Sequence, residues 1–173
     1  MTTVPAASTP LMSFVVPVRD DAERLQRCLA SIARASSGSA VELIVADNGS
    51  KDASPDVARE AGARVLMLPG LPVAQMRNRA ATAARAPLIA FVDADHEIGA
   101  DWVKVALATM ADAAIWAAGA EYDGPASSTW VQRIYNRFRS HHVETMPVDW
   151  LPSGNLIVRR EAFERVRGFD EAL

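Results

Sequence analysis

Residues 88–97 read LIAFVDADHE: five apolar residues and then two aspartates one residue apart. An unbroken apolar run of this length, without polar alternation, is the pattern of a strand covered on both faces, as in parallel sheets flanked by helices. Three earlier runs share it, at 12–18 (MSFVVPV), 41–47 (VELIVAD) and 63–68 (ARVLML). Helical periods separate them. Leu25, Cys28, Leu29 and Ile32 recur at i, i+3, i+4 and i+7 behind an acidic cap at Asp20 or Asp21, which places Cys28 in the core as packing. Residues 54–62 (SPDVAREAG) open with a serine cap and a proline at the first helical position and close on glycine. Val73, Met76, Ala80 and Ala83 form the apolar stripe of a third helix. Strand and helix therefore alternate. With right-handed crossovers this predicts an α/β fold, an open, mainly parallel twisted sheet with helices on both faces, of the nucleotide-binding type.

Composition bounds the rest. The chain has 173 residues, of which 50% are apolar, enough for one core; a single domain over 1–173 is expected, with 1–11 as a flexible N-terminus. A net charge of −3 supplies no field to hold a polyanion, so no nucleic acid is expected as partner. The single cysteine excludes an internal disulfide, as suits a reducing compartment. The first residues lack the basic start and apolar core of a secretory signal, and no apolar run nears the roughly 20 residues that span a bilayer. The expectation is a cytoplasmic protein.

In open α/β sheets ligands gather beyond the carboxyl ends of the strands. The first strand leaves through Pro17-Val18-Arg19-Asp20, the second through Asp47-Asn48-Gly49-Ser50, and the fourth through Asp93-Ala94-Asp95-His96. Acids thus reach one edge from three strands. Asp47-Asn48-Gly49-Ser50 reads either as a β-turn or as an acceptor for a base or ribose donor. A glycine-rich dinucleotide loop and a Walker-type phosphate loop are both absent from the sequence. Asp93 and Asp95, at i and i+2, share a face as the chain leaves the strand. Two anions so close repel, and a hard divalent cation, Mg²⁺ or Mn²⁺, resolves the repulsion with carboxylate, phosphate and water oxygens. A bland alternative has the pair solvated or capping a helix near Asp101. His96 reads first as a polar neighbour of the pair and second as a nitrogen ligand to the same ion.

Beyond the fourth strand, 113–123 reads as another strand. Residues 127–142 (SSTWVQRIYNRFRSHH) place Trp130, Ile134 and Phe138 on one helical stripe among Arg133, Arg137, Arg139, His141 and His142. That helix reads first as one burying its aromatics under a solvated basic face, and second as a peripheral contact with the inner face of a membrane. Residues 160–173 (REAFERVRGFDEAL) read as a short helix closed by Gly168, with Phe169 packing back on it.

The segments FVVPVRD (14–20), LIVADNGSKDAS (43–54), MRNRAATAARAPLIAFVDADHE (76–97) and LPSGNLIVRREAFERVRGFDEAL (151–173) together resemble, in order and spacing, the family 2 glycosyltransferases of the GT-A fold. The resemblance covers nearly the whole chain. It departs from the family in Ala80, where a glycine is common, and in His96 after the Asp-x-Asp motif. It implies a nucleotide-sugar donor, a UDP-sugar foremost, and a glycan, lipid or small-molecule acceptor. By the same resemblance Pro17 and Asp47 hold the base, Arg77 approaches the nucleotide with Asn78 as its companion, and Asp93 meets the ribose. Asp95 would hold a Mn²⁺ or Mg²⁺ cofactor on the diphosphate, while Gly154 and Asn155 lie on the acceptor side. Inverting transfer needs a carboxylate base for the acceptor hydroxyl. In the family an acidic motif shortly after the G-F-D-E stretch supplies it, and Leu173 comes before one. The expectation is therefore that the C-terminal part of the domain is missing, that the catalytic residue is unassigned, with Asp149 or Glu144 as the substitutes, and that the chain binds donor but transfers poorly. A nucleotidyltransferase would show a basic glycine-rich loop after the first strand, and a receiver module a lone central Asp with a late lysine; neither pattern fits.

Overall fold

The computed structural model describes residues 9–119 and 146–172. Six strands form one sheet: β1 (Met12–Val18), β2 (Val41–Asp47), β3 (Arg64–Met67), β4 (Leu88–Val92), β5 (Ala117–Gly119) and β6 (Asn155–Arg159). Their order is β3-β2-β1-β4-β6-β5. The β1–β2, β1–β4 and β2–β3 pairs are parallel, whereas β6 runs antiparallel to both β4 and β5. The sheet is thus mixed and mostly parallel, the GT-A arrangement.

Helices α1 (Ala22–Ala35), α2 (Ser54–Glu60) and α4 (Trp102–Thr109) cover one face, where Leu25, Cys28, Ile32, Ala58 and Val103 pack on Met12, Phe14 and Val16. On the other face α3 (Val73–Ala83) and α5 (Arg160–Arg165) bring Met76, Ala80 and Phe163 against Val15, Ile44 and Phe91. Every residue of β1 and β4 is buried, Ser13 included, as their largely apolar runs lead one to expect. The third run behaves differently. β3 is an edge strand, shorter than its apolar run, with Arg64 and Met67 exposed, because only β2 pairs with it.

The helix caps also differ from expectation. Asp21 stands at the N-cap of α1 but makes no side-chain cap bond; Asp52, thirty residues on, accepts the Ala22 N–H at 2.9 Å. Ser54 is the first residue of α2 rather than its cap, and its hydroxyl accepts the Asp21 N–H at 3.2 Å. Loops from different strands have taken over what local residues were expected to do. At the amino end of the sheet Glu42 is buried, accepting Ser13 Oγ at 2.7 Å and Arg85 N and Nε at 2.8 Å each. Burial alone would raise its pKa, but these donors outweigh it and hold the carboxyl below its ordinary range.

Among the described residues no helix is long and apolar enough to cross a membrane. The expected fifth strand is seen as Ala117–Gly119, and the basic helix expected at 127–142, like Glu144, lies outside the described residues.

Candidate active site

The strand exits are sewn together before any ligand is considered. Asn48 N–H donates to Val18 O at 2.9 Å, Asp20 N–H to Ser50 Oγ at 2.9 Å, and Lys51 N–H to Asp20 Oδ1 at 2.6 Å. Asn48 also spans to the loop before α3, accepting Gly70 N–H at 2.6 Å and donating to Leu71 O at 3.1 Å. Gly49 has φ +70° and a Cβ there would stand 2.9 Å from Pro69 Cβ, so only glycine fits this turn. The result is an open cleft of about 400 Å³ whose walls include Pro17, Asp21, Asn48, Arg77, Asp93 and Asp95.

Asp47, the last residue of β2 and the chain neighbour of Asn48 on the cleft wall, is fully buried and does not itself line the cleft. Its Oδ1 accepts the Ser50 N–H at 2.9 Å, the bond of a turn aspartate, while Oδ2 is buried with no hydrogen-bond partner among the described residues. The turn reading is seen in the Oδ1 bond, while Oδ2 keeps its acceptor capacity. An orphaned buried carboxylate oxygen is costly and marks a place where a donor is wanted.

β4 ends at Val92, so Asp93 and Asp95 stand on a turn and not on the strand itself. The expected strand alternation does not bring them together; the turn does, with His96 N–H donating to Asp93 O at 3.0 Å. Ligand atoms of Asp93, Asp95 and His96 all lie within 4.8 Å of one another. Arg77 is buried on α3 and donates from a terminal nitrogen to Asp93 Oδ1, offsetting part of the repulsion, while its Nε has no partner among the described residues. Below the turn, Cys28 Sγ sits 3.6 Å from Asp93 O. Burial, then the charges of Asp93, Asp95 and Glu97, push its thiol up to about 12, which leaves it a neutral packing group as expected.

Gly154 and Asn155 arrive with β6, whose first residue pairs with Val92. Gly154 O accepts Asp93 N–H at 3.2 Å and also contacts His96 Nδ1 at 2.8 Å. A methyl group on residue 154 would overlap Asp93 Oδ2 and meet His96 Cε1, so these two side chains close directly on the Gly154 backbone. Asn155 is buried and accepts Trp102 Nε1–H at 2.9 Å.

Asn78 faces away from the cleft, because adjacent helical positions point about 100° apart. It accepts Phe169 N–H at 2.9 Å and donates to Phe169 O and Glu171 Oε1, each at 2.9 Å, clasping the chain after α5. That clasp seats Phe169 edge-on to Phe91 at 5.0 Å and 5.5 Å under the Arg77 guanidinium. Phe169 also packs on Phe163 as expected, at 5.5 Å. Its place beneath Arg77 was not legible in the sequence, where the only signal was an aromatic after a helix-closing glycine. Asp149 is exposed and Glu171 is engaged by Asn78.

Residues 13–167 match the family model described as Glycosyl transferase family 2. The chain belongs to this family. Among relatives, it is 36% identical over 109 residues to validoxylamine A glucosyltransferase of Streptomyces hygroscopicus subsp. jinggangensis, covering 59% of this chain and 26% of that protein. Among solved structures, the mannosyltransferase PcManGT of Pyrobaculum calidifontis, in complex with GDP-Man and Mn²⁺, superposes with a TM-score of 0.77 at 20% identity, over 95% of this chain and 48% of that one. TarS (residues 1–349) of S. aureus, in complex with UDP-GlcNAc, superposes at 0.72 and 22% identity over 94% and 49%. This family 2 chain thus spans about half the length of those structures and about a quarter of the relative. Likeness at these identities to the solved structures carries the GT-A fold, and the family match carries the membership.

Proposed function

We propose that this family 2 protein binds a nucleoside-diphosphate sugar in the cleft between β1, α3 and the Asp-x-Asp turn and acts in transfer of the sugar to an acceptor hydroxyl, with inversion. The observation that carries the reading is the convergence of Arg77, Asp93 and Asp95 on one cleft at the carboxyl end of a parallel sheet. Two carboxylates beside it form a donor set that suits a hard divalent cation, and Asp95, the more exposed of the two at 52% against 34%, would hold Mn²⁺ or Mg²⁺. A cation bound there would offset the charge that develops on the departing diphosphate.

The protein's own residues divide the remaining work. Asp47 Oδ2 is an acceptor without a donor, which suits the ring N–H that uracil and guanine both carry, and Pro17 closes the rim beside it. Arg77 brings a cation to the diphosphate side while orienting Asp93 toward the ribose. Gly154 and Asn155, both buried, would back the acceptor side from behind the Asp-x-Asp turn. The UDP-GlcNAc and GDP-Man bound by the two structural neighbours support a nucleotide-sugar donor, and the Mn²⁺ bound by the mannosyltransferase supports a divalent metal.

Thermal unfolding with UDP or GDP, with and without Mn²⁺, tests the reading. Binding to the native state raises the midpoint by mass action, so at least one nucleotide should raise it, and Mn²⁺ should enlarge the rise. A midpoint indifferent to both nucleotides at millimolar concentration refutes it.

A further inference from the structure

The ring of His96 stands beside the two aspartates in an orientation that its sequence position did not suggest. Its Nδ1 lies 2.8 Å from Gly154 O. A carbonyl oxygen only accepts, so Nδ1 carries the hydrogen, and in the neutral imidazole the lone pair is then on Nε2. Nε2 is the nitrogen directed at the acids, 3.9 Å from Asp95 Oδ1. Resting on the nucleotide-sugar reading above, we infer that His96 binds the divalent cation through Nε2 alongside Asp95, and that this nitrogen makes the site favour Mn²⁺ over Mg²⁺.

Three observations support this beyond proximity. The first is dimensional. With metal–ligand bonds of about 2.1 Å, ligands in an octahedral shell stand about 3.0 Å apart when adjacent and about 4.2 Å apart when opposite. The 3.9 Å between His96 Nε2 and Asp95 Oδ1 exceeds the adjacent spacing by about 0.9 Å, a gap that rotation of the half-exposed Asp95 side chain can close. The second is the support behind the ring: a histidine that binds metal characteristically donates its other N–H to a carbonyl or carboxylate, which sets tautomer and ring plane. Here Gly154 O does so, and it also holds Asp93 N–H, so one carbonyl aligns both sides of the site. The third is steric. A Cβ at residue 154 would strike both Asp93 Oδ2 and His96 Cε1, so the carboxylate and the ring close on the same point of the backbone.

The metal preference follows from ligand chemistry. Mg²⁺ is hard and favours an all-oxygen shell, whereas imidazole nitrogen is better matched to Mn²⁺ and the later transition ions.

Pulsed electron paramagnetic resonance of the protein with Mn²⁺ and UDP tests the inference without reference to turnover. A ¹⁴N coupling from a directly bound imidazole is expected, converting to a ¹⁵N pattern on ¹⁵N-histidine labelling and disappearing in His96→Gln. By calorimetry the same variant should bind Mn²⁺ about 10- to 100-fold more weakly, with Mg²⁺ affinity changed less than about threefold. Bound Mn²⁺ without imidazole coupling in the unaltered protein overturns the inference and leaves the nucleotide-sugar reading standing. Equal losses of Mn²⁺ and Mg²⁺ affinity in the variant overturn the selectivity. Failure of Mn²⁺ to bind with either UDP or GDP also overturns the inference, while the nucleotide-sugar reading stands or falls on the nucleotide-induced shift in the midpoint.

Discussion

β2 and β4 flank the same central strand, and each leads its chain to an aspartate, yet the two exits are built on opposite physical plans. Asp47 is fully buried with one oxygen committed to its own turn and the other orphaned. Asp93 and Asp95 are partly exposed, lie against a buried arginine, and share their turn with a histidine. A buried acceptor without a donor discriminates by geometry, because leaving it unmade costs the full desolvation of the group. A half-exposed acidic cluster discriminates by charge, since each acid raises the cost of the other until a cation arrives. An acid at a strand end is therefore not one kind of site; its burial decides what it can recognise.

The widest expected effect breaks the charge-based exit. Asp95→Ala should weaken Mn²⁺-dependent binding of UDP or GDP by at least about 100-fold, beyond the usual cost of losing a partner outside the ligand shell. Circular dichroism should be unchanged, because the side chain is half exposed and packs no core. Metal-dependent affinity in calorimetry equal to that of the unaltered protein would remove the distinction between the exits.

A smaller effect is expected at the shape-based exit. Asp47→Ala should weaken nucleotide binding about 10-fold, roughly 1.4 kcal/mol, without changing Mn²⁺ affinity. Its melting temperature should move little, because the lost turn bond is offset by removing an unsatisfied buried oxygen. Undiminished nucleotide affinity would return Asp47 to a turn residue.

The smallest effect sharpens the comparison with a third carboxylate. Glu42, at the other end of the sheet, is buried like Asp47, though less completely, and has donors on both oxygens. Its pKa is held below the ordinary range, so the stability it contributes is present above the unfolded pKa, about 4.3, and is lost as pH falls through the folded value. Glu42→Gln should cost about 1 kcal/mol near pH 7 and flatten the acid limb of the stability profile below about pH 4, leaving nucleotide binding alone. An acid limb identical in both proteins would show that Glu42 carries none of it.

Much of this architecture is written locally. Mostly apolar runs at 12–18, 41–47 and 88–92 specify buried strands, and the helical periods between them specify crossovers, because both signals depend on neighbours a few residues apart. The acids at the strand exits are legible for the same reason, since the carboxyl end of a parallel strand is a position that can be counted along the chain. What the sequence could not settle are the contacts whose partners lie far apart in it. Asn78 clasps Phe169 across 91 residues, and Asp52 caps a helix that begins thirty residues earlier. β6 enters antiparallel between β4 and β5, which sets Gly154 against Asp93 and turns His96 toward Asp95. None of these pairings leaves a periodic trace, because a single hydrogen bond between distant segments constrains only its two ends. The sequence by itself determined the sheet, its helices and the edge to which the acids come; the tertiary structure alone decided which acid is buried, which is exposed, and which side chains stand behind them.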